Sequence, residues 1–215
     1  MDNPSRSERT RKAVIEAALA IIARDGPGRL TLDAIARESG ISKGGLMHQF
    51  RTKESVLKAL LEHQIAYFGD FVRNYLAKAG ARQSQPQLAA QIAVSREAIA
   101  SQNSVPLAVL GVVAQEPDLL STAREIDAAS LAAIKAEAAD PETAMLRWVA
   151  ARGLSLTALL GICPFSKGER DRLFDRLLDD RQWPESPSGP PARKRGARTR
   201  RTKAEAGGGS RGRRS

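Results

Sequence analysis

The stretch Gly40-Ile41-Ser42-Lys43-Gly44-Gly45-Leu46-Met47-His48-Gln49-Phe50-Arg51-Thr52-Lys53-Glu54 decides how the rest of the chain is read. It lies between two helical patterns, yet it carries adjacent glycines, each of which weakens a helix interior by about 1 kcal/mol relative to alanine. Ser42 is a good N-cap, so a short helix running to about Phe50 is expected in spite of them. Leu46 and Phe50, one turn apart, supply its inner face. Gly44 and Gly45 have no side chain to hold a partner away, and Met47, His48 and Gln49 point variously outward.

Upstream, Val14, Ile15, Ala18, Leu19 and Ile22 mark one face of a helix over Ser7–Asp25, stopped by Gly26-Pro27-Gly28. Thr31 caps a short second helix, Leu32–Ser39, with Leu32, Ile35 and Ala36 inward, and Gly40 ends it where a positive φ is needed. Two short helices joined at Gly40-Ile41 have the layout of a helix-turn-helix. Downstream, Thr52 opens a long fourth helix with Val56, Leu57, Leu60, Leu61, Ile65, Phe68 and Val72 on one side, ending near Gly80. Further helices are expected at about 86–102, 105–115, 117–139, 142–162 and 168–181, with Pro86, Pro106, Pro117 and Pro141 near their starts. No period-2 strand pattern appears. The fold class is therefore all-α.

Of 215 residues, 42% are hydrophobic and only 4% aromatic, so Ala, Leu, Ile and Val must build the core. The single cysteine, Cys163, allows no intrachain disulfide framework or multi-cysteine metal site and suits a reducing cytoplasm. It reads as a small core or interface residue, with a redox sensor as the lesser alternative. The N-terminus has no apolar signal-peptide core, and the longest weakly charged apolar stretch, Gly153–Phe165, is too short to cross a bilayer. A cytoplasmic location with no membrane partner is expected. Two histidines far apart, no Gly-rich phosphate loop and no paired carboxylates leave no catalytic constellation, so an enzyme, a metal site and a cofactor are not expected.

Charge is unevenly placed. Residues 184–215 hold ten Lys/Arg against two Asp/Glu, and residues 1–55 ten against seven, whereas 56–183 hold fourteen against fifteen. Basic ends on a neutral body point to a polyanion. On that reading the glycines of the opening stretch let a helix approach sugar, phosphate and base edges closely. Free N–H groups behind Ser42, with Lys43 beside them, suit a phosphate. Gln49 can pair with adenine, His48 can contact a base edge or phosphate, and Met47 can touch a thymine methyl or pack under the helix. Thr31 and Lys53 sit at two more helix N-termini suited to phosphate. His63 reads as an ordinary helix-surface residue.

The run Thr31-Leu-Asp-Ala-Ile-Ala-Arg-Glu-Ser-Gly-Ile-Ser-Lys-Gly-Gly-Leu-Met-His-Gln-Phe-Arg-Thr-Lys-Glu-Ser-Val-Leu57 resembles the DNA-binding segment of tetracycline-repressor (TetR) family transcription regulators. The likeness covers about residues 8–58. It implies an all-helical dimer that binds a palindromic operator and, in many members, releases it when a small molecule enters the C-terminal domain. It also implies Thr31, Ser42, Lys43, Gly44, Gly45, Met47, His48, Gln49 and Lys53 as the DNA-facing set. The family usually places an aromatic pair and a histidine before the phenylalanine. Met47, His48 and Gln49 stand there instead, so base preference does not carry over.

Three segments follow: a DNA-binding head at 1–55, a helical effector-binding and dimerisation body at 56–183, and a disordered basic tail at 184–215 rich in Pro, Arg and Gly. The expected dimer interface is about 142–181. Its apolar residues include Leu146, Val149, Leu154, Leu156, Leu159, Leu160, Leu173, Phe174, Leu177 and Leu178, with Gly153 and Gly161 permitting close approach. Leu107, Val109, Leu110, Val112, Val113, Leu119 and Leu120 suggest a hydrophobic or amphipathic effector. Arg147 or Arg152 could meet a ligand carboxylate or form ion pairs, and Trp148 could floor a cavity or join the core or interface. The expected function is a dimeric repressor. An activator of the same fold, or a non-specific nucleic-acid binder driven by the tail, are the alternatives.

Overall fold

A computed structural model describes residues 4–79, 83–101, 105, 108 and 117–183. Among them are eight α-helices and no strand. α1 spans Pro4–Asp25, α2 Leu32–Ser39, α3 Lys43–Gln49 and α4 Lys53–Ala79. α5 spans Pro86–Ala100, α6 Ser121–Glu137, α7 Pro141–Leu159 and α8 Lys167–Leu178. Short 3₁₀ turns occupy Pro27–Arg29, Pro117–Leu120 and Asp180–Gln182. The helix expected at 105–115, the stop at Gly80 and the tail at 184–215 lie outside the described residues, apart from Val105 and Ala108, both helical. The helix expected over 117–139 opens instead as the 3₁₀ turn, because Leu120, not Pro117, precedes the first α-helical turn.

Helix ends follow local chemistry. Gly40 takes φ 69°, as an αL terminator must, and Gly26 takes φ 83° after α1. Gly161 also has φ 70° and lies just past the end of α7, so it serves as a stop signal for that helix. Asp140 caps α7, and Ser166 with Glu169 forms a full capping box on α8.

Two hydrophobic clusters divide the buried residues. The first gathers Val14, Ile21 and Ile22 of α1, Ile35 of α2, Leu46 of α3, Phe50, and Val56, Leu57 and Leu60 of α4, together with Val105 and Ala108. The second gathers Leu88 and Ile92 of α5, Ile134 of α6, Trp148 and Ala151 of α7, and Phe174 and Leu177 of α8. α4, with 27 residues, is about 40 Å long at 1.5 Å per residue. Its first three turns belong to the first cluster and its later turns pack on α5.

Phe174 and Leu177 are buried inside the subunit, which removes them from the apolar surface expected on α8. The reason is tertiary: α8 turns its apolar face toward α5 and α7. α7 keeps a second face, with Leu146, Val149, Leu156 and Leu160 all exposed, and Ile162 and Phe165 exposed just beyond it.

Candidate nucleic-acid interface

α3 is held from beneath and open above. Leu46 and Phe50 are buried, and the Phe50 N–H donates to the Leu46 carbonyl at 2.7 Å. The Arg11 guanidinium covers the Phe50 ring at 5.8 Å and is itself held by Glu62 of α4 at 2.6 Å. His48 is exposed, and Met47 is 38% exposed, partly packed yet reachable from outside. The Ser42 hydroxyl accepts from the Gly45 N–H at 3.2 Å, and the Thr31 hydroxyl accepts from the Ala34 N–H at 3.1 Å. Each hydroxyl keeps its own hydrogen to donate outward, where a phosphate oxygen would sit. Thr52 and Ser55 cap the start of α4 reciprocally, beside the half-buried Lys53.

The two glycines differ. A Cβ at Gly44 would meet nothing within 4 Å, so among the described residues no atom requires glycine there. A Cβ at Gly45 would lie 3.2 Å from both Ile41 Cγ2 and the capping Ser42 Oγ, so the turn itself favours glycine at that position.

Two members of the expected DNA-facing set are engaged within the protein. Lys43 Nζ pairs with Asp33 of α2 at 2.9 Å, which holds the Asp33 carboxyl below its ordinary range. Both groups are exposed and screened by solvent, so a phosphate can replace the carboxylate readily. Gln49 Nε2 donates to the Ser7 carbonyl at 3.0 Å and to its hydroxyl at 3.3 Å, tying α3 to the first turns of α1. Pairing with adenine requires that amide to leave Ser7. Ser7 was not legible as a partner, because the Gln49 contact spans 42 positions. Arg29 and Arg37, which sequence reasoning did not single out, line a cleft of about 750 Å³ next to Thr31. Their only signal in sequence is their type and their closeness to the Thr31 cap. Across that cleft Arg24 bonds both Asp25 and Glu38, fixing the end of α1 to α2 and holding the Glu38 carboxyl down.

The body residues considered for an effector have internal partners. Arg147 is buried, and it donates to the Leu177 carbonyl from Nη2 at 2.6 Å and from Nε at 3.0 Å. It also pairs with Asp180 at 2.8 Å and lies 5.6 Å from the Trp183 ring centre. Trp148 is in the body core, with Arg152 over its ring at 5.0 Å and Arg152 paired to Asp127. The guanidinium of Arg147 thus joins α7 to the end of α8 and to Asp180. His63 is exposed on α4. Cys163 is half-buried between α7 and α8, where the Phe165 N–H, Thr157 and Arg170 lower its thiol. Among the described residues no group of His, Cys, Asp and Glu could hold a metal, and no helix is long and apolar enough to cross a membrane.

The geometry agrees with comparisons to known proteins. Residues 14–60 match the family described as bacterial regulatory proteins, tetR family, and residues 69–180 match the tetracyclin repressor-like C-terminal domain. The transcriptional regulator BetI of Yersinia pestis (strain Pestoides F) is 33% identical over 67 residues, which are 31% of this chain and 34% of that protein. The match thus spans about a third of that relative's length. The fatty acid degradation regulator FadR from Bacillus halodurans superposes with a TM-score of 0.57 at 17% identity, covering 83% of this chain and 96% of that one. The multidrug binding protein EbrR, complexed with malachite green, superposes with a TM-score of 0.55 at 21% identity, covering 78% and 97%. At such identities the superpositions establish the fold alone. The two family matches, which together cover both hydrophobic clusters and the whole of α3, make this chain a member of the TetR family of helix-turn-helix, DNA-binding transcription regulators and not an enzyme.

Proposed function

We propose that this regulator is a cytoplasmic dimeric repressor that occupies a palindromic operator and leaves it when a small hydrophobic or amphipathic effector enters the body. The division of labour follows the segments 1–55, 56–183 and 184–215. Thr31, Ser42, Lys43, Gly44, Gly45, Met47, His48, Gln49 and Lys53 form the DNA-facing set. The observation that carries the DNA-facing assignment is the open space above Gly44 on a capped helix whose other face is anchored by Leu46 and Phe50. Glycine inside a helix, at a position where its own fold leaves room for alanine, fits an external partner at close range.

Two heads at fixed spacing require a dimer. The exposed stripe Leu146, Val149, Leu156 and Leu160 on α7, continued by Ile162 and Phe165, supports one. These residues recur at helical spacing on a single face, and a contiguous apolar surface of that kind marks an interface. Effector release would act as a population shift: a bound effector favours a head spacing that no longer matches successive grooves. α4 is the natural lever, and Val105, Ala108 and Leu120 seat the body against the head core. EbrR, a neighbour by fold, is a multidrug binding protein, which fits an effector of mainly apolar character.

The test is selection of bound fragments from random and genomic DNA with purified full-length protein. Enrichment of a palindrome with half-sites about one helical turn apart, or a multiple, is expected. Enrichment of no motif, with affinity tracking charge alone, would replace this reading with non-specific binding by the tail.

A further inference from the structure

A carboxylate beside DNA is repelled by the phosphates unless a donor meets it. Glu38 is held by Arg24, and Glu54 by Thr52 and the backbone at the start of its own helix. Asp33 of α2 differs, because its partner belongs to the DNA-facing set. It pairs at 2.9 Å with Lys43, the first residue of α3, and the two side chains are 67% and 69% exposed. In a helix-turn-helix the N-terminal residues of the second helix meet base edges. Gly44, next to Lys43, holds nothing away. The pair therefore comes to the groove as one acceptor beside one donor. A phosphate that drew Lys43 away would leave Asp33 facing the same polyanion alone.

Hydrogen-bond complementarity selects the base pair. On the major-groove edge guanine offers N7 and O6 as acceptors, and cytosine offers its N4 amino group as a donor. O6 and N4 are hydrogen-bonded to each other, so they lie about 2.9 Å apart. Lys43 Nζ and Asp33 Oδ1 have the same spacing. Each base atom keeps one free position toward the groove, a lone pair on O6 and a hydrogen on N4. An A·T pair also sets a donor beside an acceptor. There, however, adenine N6 lies between two acceptors, N7 and thymine O4, which repel a carboxylate, and the thymine methyl crowds an ammonium on O4.

We infer that Asp33 and Lys43 together read one G·C pair in each half-site, the carboxylate accepting from cytosine N4 and the ammonium donating to guanine O6 and N7. This rests on the operator reading above and deepens it: Asp33 joins the DNA-facing set, and Lys43 meets a base rather than a phosphate.

The test selects sites from random DNA with full-length wild-type protein, Asp33→Ala and Lys43→Ala, then measures affinity for the selected duplex and for single base-pair replacements at two salt concentrations. Both side chains are exposed, so neither substitution touches a core. Replacing one symmetric G·C pair by A·T should weaken wild type about tenfold, and that penalty should shrink to about threefold or less in both variants, at the same position. An undiminished penalty in Asp33→Ala overturns the assignment, as do variants that relax different positions. Tighter binding of Asp33→Ala to every sequence alike, with a salt slope steeper by about 0.9, also overturns it, since the carboxylate would then only keep Lys43 from a phosphate. A wild-type protein that selects no motif removes the operator reading together with this one. A palindrome indifferent to Asp33 at every position removes this one alone.

Discussion

At Gly44 an added methyl group would meet no atom of the described residues within 4 Å, whereas at Gly45 it would crowd Ile41 and the Ser42 cap at 3.2 Å. The two positions therefore give opposite tests. Gly44→Ala should raise stability to urea by about 1 kcal/mol, since alanine favours the helix, while weakening specific DNA binding by about 1–3 kcal/mol. A more stable protein with unchanged operator affinity would refute close approach at α3. Gly45→Ala should show no such gain in stability, because the cap must give way, so a loss of binding there is not diagnostic. Sequence made both glycines equally suggestive. Only the positions of Ile41 and Ser42 separate an internal requirement from an external one.

The element that most rewards a stability experiment is α7, through Arg147. Its guanidinium joins the end of α8, Asp180 and Trp183 in one buried knot. Arg147→Met leaves the Leu177 carbonyl and the Asp180 carboxylate short of donors, and should lower unfolding free energy by about 3 kcal/mol in urea titration. Burial alone would push the Asp180 carboxyl up, but hydrogen bonds from Ser84 and Arg147, with the Arg147 charge, hold it below its ordinary 3.8. A carboxyl depressed in the folded state stabilises fully above its unfolded value, and that contribution disappears as pH falls through the folded one. Stability should therefore drop below about pH 4, and Asp180→Asn should flatten part of that fall when denaturation midpoints are compared. An unchanged acid profile in the variant would remove Asp180 from the account. The helix itself was legible, since Pro141 and the apolar spacing mark it. The fate of Arg147 was not, because its partners lie 30 or more positions away on another element.

For the whole molecule, dimerisation and the tail make separable contributions. Val149→Glu with Leu156→Glu puts charge into the exposed α7 stripe without touching either core, so a helical monomer is expected by sedimentation, with operator affinity lost. A dimer that persists would move the interface elsewhere. Truncation after Trp183 removes ten Lys/Arg and two Asp/Glu. It should weaken binding and reduce the slope of log K against log salt by about 0.9 for each phosphate that the tail neutralises, with the preferred sequence unchanged. Equal slopes for full-length and truncated protein would show that the tail does not reach DNA.

What the sequence determined by itself was local: helix periodicity, the caps at Thr31 and Ser42, the αL stop at Gly40 and the charge at each end. Each depends on residues within a turn or two of one another, so spacing and residue type suffice to specify them. What only the tertiary structure decided was which faces meet. It turned Phe174 and Leu177 inward, left the α7 stripe outside, joined Gln49 to Ser7, and buried the Gln64 Oε1 without a donor. Those outcomes depend on contacts between distant segments, where an apolar or polar side chain has no assigned environment until the helices have packed.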